Sequence, residues 1–216
     1  MNKLLIVFLG LFIIRCTPPI NNEDSPFDEL TTLVDQYAEN TIKNGNINSL
    51  AVAIYKDSQV YQGYYGEIDK GMGNIPNDST LYEIASISKV FAGSLVAKAV
   101  LEGKLSLEDD IRLYLNGNYE NLELDGEPVR IRHLVTHTLG FDMPQKMAAV
   151  YDKIFNGYYE NQALDYGIDD LLEELEQVKL KRIPGTSYDY SNLGPELAAY
   201  ILEKVYHKSY QELLHG

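Results

Sequence analysis

This 216-residue chain has one cysteine, no tryptophan, and 18 Lys+Arg against 32 Asp+Glu. Each scarcity excludes something. A lone Cys16 allows no internal disulfide, so the fold rests on its core rather than on covalent staples. A formal net charge of −14, with no basic cluster, argues against a nucleic-acid partner, whose phosphates call for Lys and Arg on one face. No phosphate-cradling glycine loop follows a strand pattern, which leaves nucleotide binding unsupported. The apolar run Leu4 to Ile14 rises only about 16 Å as a helix, against about 30 Å of hydrocarbon, and is too short to span a bilayer.

What is present suits a globular protein: 45% hydrophobic and 23% charged residues, enough for a real core. Acid is densest from Glu160 to Glu176, which reads as a solvated helix face. The 17 tyrosines have an apolar body and a polar tip, suited to a core edge or a groove wall.

The amino terminus reads as an export signal over residues 1–16, with a positive start at Lys3 and a short apolar centre. Two readings of Cys16 stand side by side. It is the lipidated residue of a lipoprotein signal, giving membrane attachment, or an incidental cysteine after an ordinary signal peptide. Residues 17–25, rich in Pro, Asn and acid, read as a tether to a domain over 26–216. The expected location is outside the cytoplasm, in the periplasm or cell envelope.

Pro26 begins an amphipathic helix to residue 43, with Phe27, Leu30, Val34, Tyr37 and Ala38 at helical spacing. Leu50–Tyr55 and Gln59–Tyr65 form a β-hairpin. From Ser86 the period becomes 3.6, and Ile87, Val90, Phe91, Leu95, Val96, Ala99 and Val100 predict a helix buried on most sides. Ser106 with Asp109 predicts a capped short helix, 116–128 a loop, and Ile131–Leu139 a helix stopped by Gly140. Phe141–Gly167 carries aromatics without a clean period. Ile168–Val178 is a helix, Pro195 opens another through Tyr206, and Ser209 with Glu212 caps a last one. The order predicts an α+β fold, with helices segregated from a sheet.

Chemistry concentrates in two places. Ser86-Ile87-Ser88-Lys89 sets a hydroxyl and an amine three residues apart on a helix, about 5–6 Å between Cβ atoms. A serine is a weak nucleophile until a base takes its proton, and a desolvated lysine can be that base. Free N–H groups at a helix start favour the charge that develops in acyl transfer. The second place is Tyr188-Asp189-Tyr190-Ser191-Asn192. In an extended segment Tyr190 and Asn192 point the same way, a phenol for moving a proton and an amide for holding a carbonyl.

In this order the motifs resemble the serine β-lactamase and penicillin-binding-protein superfamily, nearest its class C and esterase-like branch. Asp78-Ser79-Thr80-Leu81-Tyr82-Glu83-Ile84, Gly103–Asp109, Ile131–Gly140 and Pro184-Gly185-Thr186 all look like family landmarks. The Tyr-Ser-Asn triplet stands where class A relatives have S-D-N. The resemblance implies an antiparallel sheet with a helical domain and an exported serine hydrolase working through an acyl-enzyme. It implies Ser86 as nucleophile, Lys89 as its proton partner, Tyr190 as general base and acid, and Asn192 as substrate contact. The backbone N–H of Ser86 would supply half of the oxyanion hole. The substrate would be a β-lactam, a peptidoglycan-derived peptide or a small ester, with no cofactor and no metal. Leu139 and Ser58 depart from the usual Ser and Gly, away from the chemistry.

Downstream of Tyr190 no Lys or His is followed by Thr or Ser and then Gly, the family's third motif. The expectation is a domain incomplete at its C-terminus, lacking the C-terminal sheet strands and one oxyanion donor. A non-catalytic relative keeping the groove as a binding module is the competing reading. His133 and His137 have zinc-ligand spacing, but Leu134 stands where a metalloprotease needs Glu, and the resemblance makes both structural. The tyrosine-rich 141–166 stretch reads either as a cover over the site or as an insertion packed on the surface, with the cover favoured because aromatic residues near a cleft often form its walls.

Overall fold

Helical and strand patterns sort into two units along the chain, residues 1–82 and 83–216. The computed structural model describes residues 26–155 and 166–216. The expected signal, Cys16 and tether lie outside the described residues, as do 156–165 of the tyrosine-rich stretch. Among the described residues, no helix is long and apolar enough to cross a membrane.

In the first unit, helix α1 (Pro26–Asn44) packs on a hairpin of β1 (Ser49–Lys56) and β2 (Gln59–Gly66). The strands pair antiparallel, with Lys56 opposite Gln59. Asp57 and Ser58 between them both have positive φ, 50° and 64°, the turn that matches strand twist. A two-stranded ribbon is marginal alone, and α1 covers one of its faces. On that face Tyr61 and Tyr65 both donate to Asp35 Oδ1 of α1, Tyr65 at 2.6 Å. Gly63 sits between the two tyrosines, and a Cβ there would strike both hydroxyls. Burial and Asp35 together push the Tyr65 phenol well above its ordinary range.

The second unit carries most of the core. Helices α2 (Ser88–Leu101), α3 (Ile131–Thr136), α6 (Leu193–Tyr206) and α7 (Tyr210–His215) pack around a cluster that includes Ile111, Leu122, Leu134, Leu197 and Ile201. Helix α4 (Gln145–Phe155) lies against α5 (Ile168–Leu175). Gly194 lets α6 approach α3, because a Cβ there would run into the carbonyl oxygen of Leu134. Ser209 and Glu212 make the expected reciprocal cap of α7.

Several expectations are corrected. Ser86 precedes α2, in a 3₁₀ turn over Ala85–Ile87. Helix α2 is not buried on most sides: only Ala92, Val96 and Ala99 are buried, while Val90 is 65% exposed and Phe91 48%. A wide apolar stripe states what a helix can bury, and in the described chain one side of the stripe meets solvent. Ser106 N–H donates to Asp109 Oδ2 as expected, but the Ser106 hydroxyl accepts from Glu108 N–H and the segment is a turn. A 3₁₀ helix follows at Ile111–Tyr114, capped by Asp110. The expected 116–128 loop contains a small hairpin, β3 (Glu123–Leu124) with β4 (Glu127–Pro128). Helix α3 ends at His137, which takes the left-handed conformation at φ 57°, three residues before Gly140. The acidic stretch is not simply a solvated face, since the Glu174 carboxylate accepts from the Lys146 and Met147 N–H groups that open α4.

Candidate active site

Ser86 is presented by local backbone. Ala85 just before it has φ 45°, a conformation alanine rarely adopts, and the chain then tightens into the 3₁₀ turn. The hydroxyl therefore stands at the open end of α2, exposed, with Lys89 one turn on and half-buried.

Tyr190 reaches the same hydroxyl from the other side. Its segment is stitched to the end of α3: Asp189 N–H donates to the His137 carbonyl at 2.8 Å, and Ser191 N–H to His137 Nδ1 at 3.3 Å. Both anchors flank Tyr190, and its ring lies on the His137 imidazole with centroids 4.6 Å apart. His137 thus orients the phenol. His133, four residues before it, has a structural role of its own: its Nδ1 accepts from Arg130 N–H at 3.0 Å, capping α3. Among the described residues no group of three or more His, Cys, Asp or Glu is arranged to hold a metal ion.

Two donors converge on Ser86 Oγ, Tyr190 Oη at 2.8 Å and Lys89 Nζ at 3.1 Å. The ammonium also lies 5.1 Å from the centre of the Tyr190 ring. Contact with Lys89, and then with Ser86, holds the Tyr190 phenol below its ordinary 10. A lysine beside a phenol favours the phenolate, and a phenolate at 2.8 Å from a serine hydroxyl can take its proton.

Ser86 and Lys89 open onto a pocket of about 590 Å³, whose lining includes Asn192, Tyr151 and Glu196. Asn192 is placed at the same pocket, but as the N-cap of α6 with φ −78° and ψ −22° rather than in an extended strand. The structure thus brings together all four residues singled out from the sequence. Tyr151 of α4 forms one wall, so part of the aromatic stretch does border the site. Glu196 was not foreseen: a glutamate in a helix's first turn reads as a dipole partner in solvent. Packing around its carboxyl raises it above its ordinary value, while Tyr151 Oη, donating at 3.3 Å, and the charge of Lys89 hold the rise back. Burial first, and Glu196 second, push Tyr151 up to about 12.

Comparison with known proteins matches the family model described as Beta-lactamase to residues 33–215. Protein flp of Staphylococcus aureus is 28% identical over 184 residues, covering 84% of this chain and 34% of that protein. The D-alanyl-D-alanine-carboxypeptidase/endopeptidase AmpH of Escherichia coli is 26% identical over 204 residues, covering 94% of this chain and 50% of AmpH. A solved beta-lactamase/D-alanine carboxypeptidase from Yersinia pestis superposes with a TM-score of 0.72 at 25% identity, covering 88% of this chain and 52% of that one. The chain therefore spans from about a third to about half of these relatives' lengths.

Proposed function

The chain belongs to the beta-lactamase family, and from that premise we propose that it works as a serine hydrolase, cleaving an amide or ester through an acyl-enzyme. The observation that carries this reading is the convergence of Tyr190 Oη and Lys89 Nζ on Ser86 Oγ. Ser86 attacks the carbonyl carbon. Its proton passes to Tyr190, whose contact with Ser86 reverses direction once the phenol is ionised. Tyr190 then gives that proton to the leaving group, and water, deprotonated the same way, releases the acid. Lys89 keeps the phenol acidic enough for both transfers. The Ser86 N–H, in the first turn of its 3₁₀ helix, faces the developing oxyanion, and Asn192 contacts the substrate.

The substrate class is a β-lactam, a peptidoglycan-derived peptide or a small ester. AmpH carries carboxypeptidase and endopeptidase in its name, which favours the peptide. The positive start and apolar centre of residues 1–16 support export to the periplasm or envelope, with Cys16 as the candidate lipid anchor.

Incubation with a fluorescent penicillin and with a fluorophosphonate tests the reading. Labelling that disappears in Ser86→Ala is the expected result. Folded protein that takes neither label would sink it and favour the non-catalytic binding module.

A further inference from the structure

The pocket beside Ser86 has a charge pattern that the acyl-transfer chemistry does not use. Its lining includes one ammonium, Lys89, and that group is committed to Ser86 Oγ and the Tyr190 ring. Two carboxylates line it as well, Glu83 and Glu196. Beside Ser86, Ser88 and Asn192, the rest of the lining is apolar or aromatic, including Ala92, Ile154 and Ala199. Asn192, Glu196 and Ala199 recur at helical spacing on one face of α6. Glu196 therefore stands about one helical turn, roughly 5.4 Å, beyond Asn192.

We propose that Glu196 makes this pocket select substrates whose acyl side carries a cation, an ammonium on a short apolar chain. The inference rests on the reading of Ser86 as nucleophile and of Asn192 as substrate contact. An acyl group held by Asn192 runs along the α6 face past Pro195, among the apolar side chains of the lining, and ends at the Glu196 carboxylate. Glu196 accepts from Tyr151 Oη on one oxygen, which fixes the carboxylate and leaves its second oxygen to face a cation. Near an open surface such a pair is worth a few-fold rather than orders of magnitude, and the pocket's apolar walls strengthen it. Glu83, on the same lining, carries charge of the same sign.

A matched pair of esters tests the proposal: the 4-nitrophenyl esters of 4-(trimethylammonio)butanoate and 5,5-dimethylhexanoate, alike in shape and different by one charge. Ser86 Oγ takes the acyl group in both, nitrophenolate leaves, and water regenerates the serine. Rates are measured above the Ser86→Ala background. The expected ratio of kcat/KM, cationic over neutral, is about 3- to 5-fold. It should fall to about one in Glu196→Gln and below one in Glu196→Lys. Ester hydrolysis by the parent with a ratio near one, or a ratio unmoved by either substitution, overturns the cation preference alone. No hydrolysis of either ester above the Ser86→Ala background overturns the hydrolase reading, and the preference with it.

Discussion

Removing one oxygen, in Tyr190→Phe, separates the chemistry of this site from its architecture. The ring is 50% exposed, and its stacking on His137 and the two backbone anchors at Asp189 and Ser191 do not involve the hydroxyl. The lost bond to Ser86 is solvent-open, so the stability cost is about 1 kcal/mol or less. Acylation loses its proton acceptor, and positioned general bases contribute about 10²–10⁴ in rate. The assay is the rate of fluorophosphonate labelling of Ser86 followed by mass spectrometry across pH, beside a urea melt. The parent rate should rise with pH along a limb set by Tyr190, displaced below 10 because Lys89 favours the phenolate. In Lys89→Met that favour is gone, the phenol pKa climbs, and the same limb moves to higher pH. A Tyr190→Phe protein that labels at the parent rate, or a limb that stays in place without Lys89, would refute this assignment of the base.

Gly194→Ala sets a gain in helix propensity of about 1 kcal/mol against a Cβ driven into the backbone carbonyl of Leu134. A backbone atom cannot swing aside, so a net loss of about 1–3 kcal/mol is expected as a lower urea midpoint; a raised midpoint would contradict the packing argument. His133 is buried, and desolvation first, then the charges of Arg132 and Arg130, depress its folded pKa below 6.5. The unfolded chain therefore takes up that proton first as pH falls. The stability tied to neutral His133 is complete above about 6.5 and is lost as pH drops from there through the folded value. Urea midpoints should decline over that window in the parent and much less in His133→Gln. Asp142 and Glu212, held below their ordinary 3.8 and 4.5, act only at lower pH.

Legibility in the sequence followed the range of the interactions involved. Helix α1, the β1–β2 hairpin and α7 were readable because a single face, a two-residue turn and a reciprocal Ser209–Glu212 cap are local features. The two-residue strands β3 and β4 are too short to show a period, so 123–128 read as loop. Helix α4 was hidden although Met147, Tyr151 and Ile154 share one face, because the aromatic residues around them blur the period over a longer window. The exposed side of α2 could not be seen, since Val90 and Phe91 look the same in sequence whether or not a neighbour covers them. At the site, Ser86, Lys89 and Tyr190 were legible from motif order and family resemblance. Glu196 and the stacking role of His137 were not, because each acts through a partner 45 or more residues distant in sequence, Tyr151 for one and Tyr190 for the other.

Ala85 shows what lies beyond any pattern in side chains. A φ of 45° costs an alanine roughly 1–2 kcal/mol against the ordinary helical region. Had residue 85 been helical, α2 would extend back through Ser86 and place its hydroxyl along the helix side. The turned backbone instead delivers Oγ to the open end, where Lys89 reaches it from within the helix and Tyr190 from the α3 side. A glycine would adopt this φ without strain, but it would populate the alternatives equally well and leave the hydroxyl less fixed. The surrounding structure holds the strained conformation in place, so the residue that looks least chemical in the motif sets the geometry on which the proposed proton transfer depends.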